Sequence, residues 1–159
     1  MFINNFLEFG HHTPQFLFLF LVISAYYHEN KMYIFLILFG IIDYAFIGPY
    51  MKHIFYENNM GSARPILYPY IHSDSIPKHF NGMPSGHSEL VWFICTVLYF
   101  TMGTSDFDTF FCFILAIFTS LQRILTKMHT PLHVITGSFI GITFGIVWSF
   151  FYNVLSIQF

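Results

Sequence analysis

A chain of 159 residues that is 55% hydrophobic and only 9% charged cannot coat a globule with charge. Soluble domains carry about 25% charged residues, so the composition favours lipid as the solvent. A net charge of −2 leaves no basic footprint for nucleic acid. Cys95 and Cys112 both lie in apolar runs, which excludes a disulfide framework or a zinc spacing.

The length fits one domain, 1–159, and the apolar runs divide it into five segments. A helix crossing the hydrocarbon core needs roughly 20 residues. The first segment is about 14–27, with Thr13 as its cap and Pro14 in its first turn. An earlier start, near Asn5, would give it full length. Glu8 and the lack of Lys or Arg before it argue against a cleaved signal peptide. The second segment is about 32–51, the third 88–102, the fourth 107–126 and the fifth 132–155. The runs are long and do not alternate, so they read as helices rather than barrel strands. The predicted fold class is all-α, a polytopic transmembrane bundle of about five spans and an integral membrane protein. Tyr26, Tyr27, Trp148 and Tyr152 suit interfacial aromatic belts. Asp43, inside the second segment, reads as a structural intramembrane carboxylate.

Short turns join the first segment to the second and the third to the fourth. The stretch 52–87 is long and rich in Gly and Pro, the kind of loop that is functional or disordered. Strict alternation of five spans brings Lys52, Arg64, His87, Arg123, His129 and His133 to one membrane face. The opposite turns carry only Lys31 among the basic residues.

Two motifs stand on that face. One is Gly82-Met83-Pro84-Ser85-Gly86-His87-Ser88, directly before an apolar run. The other is Arg123-x5-His129-x3-His133. Taken singly, the first reads as a turn before a helix. Arg123 and Lys127 read as cations complementing a helix C-terminus. His129 and His133 read as loop residues or as an i,i+4 metal pair, though no carboxylate stands nearby to complete a metal site. Their joint occurrence, in order and on one face, favours phosphoryl chemistry at a membrane surface.

Together the motifs resemble the type 2 phosphatidic acid phosphatase superfamily. Its three hallmarks are Lys-x6-Arg-Pro, Pro-Ser-Gly-His and Ser-Arg-x5-His-x3-Asp. The context of the second motif, with Trp92-Phe93, and His129-Thr130 look most like the dolichyl-diphosphatase branch. Three departures stand out. Lys52 reaches the register of the motif lysine before Arg64-Pro65 only if 58–62 is an insertion. Gln122 replaces the Ser before Arg123, and His133 occupies the Asp position.

The resemblance implies hydrolysis of a membrane lipid phosphate or isoprenoid diphosphate, without metal or other cofactor. His129 would attack phosphorus and form a phosphohistidine, and His87 would protonate the leaving oxygen. Lys52, Arg64 and Arg123 would hold the phosphate, with Ser85 and Gly86 offering helix N-terminal N–H groups. His133, four residues after His129, would receive the other ring N–H of His129 and fix its tautomer. The partners implied are the lipid substrate and the bilayer. The alternative is a catalytically impaired relative that binds a lipid phosphate or serves a structural role. A metal-binding protein using His87, His129 and His133 is a further alternative. Glu89 reads as a helix cap with no chemistry.

Overall fold

The computed structural model describes residues 12–20, 22–23, 26, 40, 42, 46–57, 82–101 and 106–156. Their regular structure is entirely helical and includes α1 at 12–20, α2 at Gly48–Glu57, α3 at Gly86–Thr101, α4 at Asp106–Leu125 and α5 at Pro131–Ser156, with residues 22, 23, 26, 40, 42, 46 and 47 helical as well. The last three lie within two residues of the predicted segments. Most of the second segment, including Asp43, lies outside the described residues, as does Arg64.

Two boundaries differ from expectation. Residue 12 is already helical, so Thr13 lies inside α1, buried, rather than capping it. α2 continues past Met51 to Glu57, which puts Lys52 within a helix instead of at its end. The sequence offers no Gly or Pro between Pro49 and Gly61 to stop it. Pro49 is the second residue of α2.

α3 is the central element. Val91, Phe93, Ile94, Cys95, Val97 and Leu98 are buried on it, against Cys112 and Ala116 of α4 and Leu17 of α1. The seam with α4 is made by side chains. The Trp92 indole N–H donates to Ser120 Oγ at 3.1 Å, and its ring meets Phe113 at 5.9 Å between centroids.

The seam with α5 is made by backbone. Gly137, Gly141 and Gly145 recur every four residues, one above the other on a helix. A Cβ on Gly137 would lie 2.5 Å from Ser85 O, and one on Gly141 would overlap Glu89 O. One on Gly145 would lie 2.6 Å from Thr96 Cβ. Small residues at this spacing let two helices approach closely, as they do between membrane helices.

α4 and α5 are inverted relative to helices of a soluble globule. The inward stripe of α5 is His133, Gly137, Gly141, Gly145 and Ser149. Its outward stripe includes Ile135 (64% exposed), Phe139 (70%) and Phe150 (65%). On α4, Thr119, Ser120 and Arg123 are buried while Phe110, Ile114, Ile117, Leu121 and Leu125 face out. Among the described helices, only α5, over Pro131–Val154, is both long and apolar enough to cross a membrane. Thr109–Leu125 of α4 is apolar but shorter.

Candidate active site

The polar residues collect where α3 begins, α4 ends and α5 begins. Ser85, Ser88, Glu89, Gln122, Arg123, His129 and His133 are all buried there. Such burial is costly for polar groups unless they are bonded or meet a ligand.

Each of the three helix ends is built by local chemistry. Ser85 is the N-cap of α3: its carbonyl accepts from the Glu89 N–H at 2.9 Å. Ser88 Oγ lies 3.2 Å from Ser85 Oγ. The Met83–Pro84 peptide before it is cis. Gly86 opens the helix, and a Cβ there would meet nothing within 4 Å. The first N–H groups of a helix have no intrahelical partner and suit an anion.

α4 ends by turning left-handed at Lys127, whose φ is 55°. The Lys127 N–H donates to Ile124 O at 2.9 Å, and the His129 N–H donates to Arg123 O at 3.1 Å. Carbonyls left over by the helix end are thereby satisfied. The same fold-back explains the Arg-x5-His spacing. It brings the backbone of His129 onto that of Arg123, leaving both side chains at one helix end.

α5 starts with Thr130 as N-cap, Pro131 at the first position and His133 at the third. The His133 N–H donates to Thr130 Oγ1 at 3.3 Å, and the Thr130 N–H points at His133 Nδ1 at 3.5 Å. These reciprocal bonds form a capping box with His in the seat usually held by Glu or Gln. Both are long, so each lies at the weak end of its range.

Contacts cross between the ends. The Ser85 N–H donates to the His133 carbonyl at 3.0 Å. His129 Nδ1 lies 2.8 Å from Gly82 O. The rings of His129 and His133 meet edge to face, with centroids 5.8 Å apart. Of the residues proposed from sequence, the structure therefore joins Ser85, Arg123, His129 and His133. Gly86 and His87 stand in the first turn of α3, half-buried. Lys52 lies half-buried on α2, and Arg64 lies outside the described residues.

Sequence reasoning sought the ring partner of His129 in His133. The bond from Nδ1 goes instead to the Gly82 carbonyl, because the strand of chain before α3 passes under the α4–α5 turn. A backbone acceptor has no side-chain signature to read. Gly137 was also missed, although its four-residue spacing from Gly141 and Gly145 was visible. It is the gap in α5 into which the Ser85 backbone docks.

The model of the PAP2 superfamily matches residues 46–156. The chain belongs to that superfamily. Comparison with curated proteins and with solved structures gave no match. The PAP2 region begins just before α2 and ends with α5, so it contains every residue of the candidate site. Membership points to phosphatase chemistry on phosphate esters and to association with membranes, the latter in keeping with the apolar α5.

Within that PAP2 site the chemical capacities divide clearly. Arg123 is permanently charged and offers a planar fork to phosphate oxygens. His129 has one nitrogen turned to a carbonyl, which can only accept. Nδ1 therefore carries the hydrogen, and in the neutral ring Nε2 holds the lone pair. Among the described residues, no three His, Cys, Asp or Glu side chains gather as a metal site.

Proposed function

We propose that this PAP2 superfamily member hydrolyses a membrane lipid phosphate or an isoprenoid diphosphate through a phosphohistidine on His129, without a metal. Nε2 of His129 attacks phosphorus, and the P–O bond to the lipid breaks. His87 gives its proton to the leaving oxygen. Water then attacks the phosphohistidine, His87 takes a proton from that water, and inorganic phosphate leaves. Arg123, with Lys52 and Arg64, balances the charge on the equatorial oxygens. Ser85 and Gly86 offer the open N-terminus of α3.

The observation that carries this reading is the 2.8 Å contact between His129 Nδ1 and Gly82 O. It presets the tautomer a nucleophilic imidazole needs, next to a buried arginine and an open helix N-terminus. The outward apolar faces of α4 and α5 support a polytopic bundle in which a lipid anchored in the bilayer presents its headgroup to the site. The dolichyl-diphosphatase-like context of the second motif favours a diphosphate.

The test is phosphate release by purified protein in chelator, with phosphatidic acid and a polyisoprenyl diphosphate as substrates. Release is expected from at least one, blocked by vanadate and abolished by His129→Ala. Release that needs added zinc or magnesium would favour the metal alternative. Tight lipid-phosphate binding without turnover would favour the impaired relative.

A further inference from the structure

We propose that the Gly82 carbonyl, not the side chain at position 133, fixes the tautomer of His129, and that His133 instead clamps the Ser85 loop onto the start of α5. The inference rests on His129 as nucleophile for its significance, but its geometry stands apart from that role.

His129 is 3% exposed, and its ring is tied at one nitrogen to a carbonyl 2.8 Å away. Its own N–H is tied to Arg123 O. Ring and backbone are thus both anchored, to two different chain segments. His133 is fully buried, and its Nδ1 faces a backbone N–H, which can only donate. That contact, 3.5 Å long, suits a lone pair on Nδ1 with the ring hydrogen on Nε2. The two neighbouring histidines are set as opposite tautomers: Nδ1–H at His129, Nε2–H at His133.

The carbonyl of His133 serves a second purpose, accepting the Ser85 N–H at 3.0 Å. Cap and clamp lie on one residue. A break in the α5 cap moves the carbonyl that holds the Ser85 loop. The stretch before Pro84-Ser85-Gly86-His87 reaches back through Gly82 to hold the histidine of Arg123-x5-His129, so the two motifs orient each other through backbone. A carboxylate at position 133 is not required for the tautomer.

The test is nitrogen NMR of the full chain in detergent micelles with 15N-labelled histidine. The His129 signals are assigned by their loss in His129→Ala. In the wild type, His129 Nδ1 is expected in the protonated range and Nε2 in the lone-pair range. His133→Gln, which can occupy the same capping seat, should leave that pattern in place. Replacing Met83 by its α-hydroxy acid turns the Gly82–Met83 amide into an ester and weakens the Gly82 carbonyl as an acceptor. That change should mix the His129 tautomers. A His129 pattern that collapses in His133→Gln, or that ignores the ester, would overturn the proposal. Phosphate release measured on the same samples separates the two readings. An inert protein with the predicted tautomers supports this inference and removes only the phosphatase reading.

Discussion

α3 meets its two neighbours by different means, and the difference decides what each seam can tolerate. Against α4 it uses side chains: Trp92 on Ser120 and Phe113, and the core around Cys112 and Ala116. Side chains have rotamers and can give. Against α5 it uses backbone at Gly137 and Gly141, with the Thr96 side chain seated on Gly145. Backbone of a helix cannot give without moving the whole element. The backbone seam is also the one that leads into the site, ending at Ser85 N–H on the His133 carbonyl. The rigid seam sets the register of the candidate site, and the adaptable seam supplies packing.

Substitutions can break this contrast. The largest effect is expected for Gly141→Ala. Its new Cβ would overlap Glu89 O and lie 2.9 Å from the Glu89 carbonyl carbon and 3.0 Å from Phe93 N, all backbone. Ala in place of Gly gains up to about 1 kcal/mol of helix propensity. Overpacking costs typically about 1–3 kcal/mol, and here no side chain can yield. The thermal midpoint in detergent should fall and phosphate release should fall with it, as α5 is pushed from the site.

Gly145→Ala should cost less. Its Cβ would meet Thr96 Cβ and Cγ2 at 2.6 and 2.8 Å, nearer than the backbone atom Phe93 O at 3.2 Å. The position is about one turn further from His133 than Gly141. A net loss of about 1 kcal/mol, the low end of overpacking, is expected, with release largely kept. An effect on release equal to that of Gly141→Ala would show that the seam acts as one block.

The smallest effect is expected on the α3–α4 side. Trp92→Phe removes the indole N–H but keeps a ring against Phe113. A double-mutant cycle with Ser120→Ala should assign about 0.5–1.5 kcal/mol to that bond. Coupling well above this would place the α4 seam on a par with the glycine seam and erase the contrast.

The sequence carried the fold's helices where apolar runs were uninterrupted, so α3, α4 and α5 were legible almost to the residue. It carried the placement of two candidate site residues: the backbones of Arg123 and His129 meet where the chain folds back at Lys127, the His129 N–H donating to Arg123 O. What escaped was work done by backbone. The Gly82 carbonyl holding His129 has no residue type attached to it. Thr130-x-x-His133 hides a capping box because His stands where Glu or Gln is usual. The glycine stripe of α5 was visible as spacing, yet a search for large apolar residues passes over it. In a membrane-type helix the large residues mark the outside, and the small ones mark the contact.

The central claim is that His129 carries the phosphoryl group. The most direct measurement is a rapid alkaline quench of the protein turning over a lipid phosphate labelled with 32P. Phosphoramidates survive base and break in acid, so a phosphohistidine should be recovered as acid-labile label, located on His129 by peptide mapping. It should be absent from His129→Ala. Phosphate release with no label on the protein, or equal label in His129→Ala, would contradict the account.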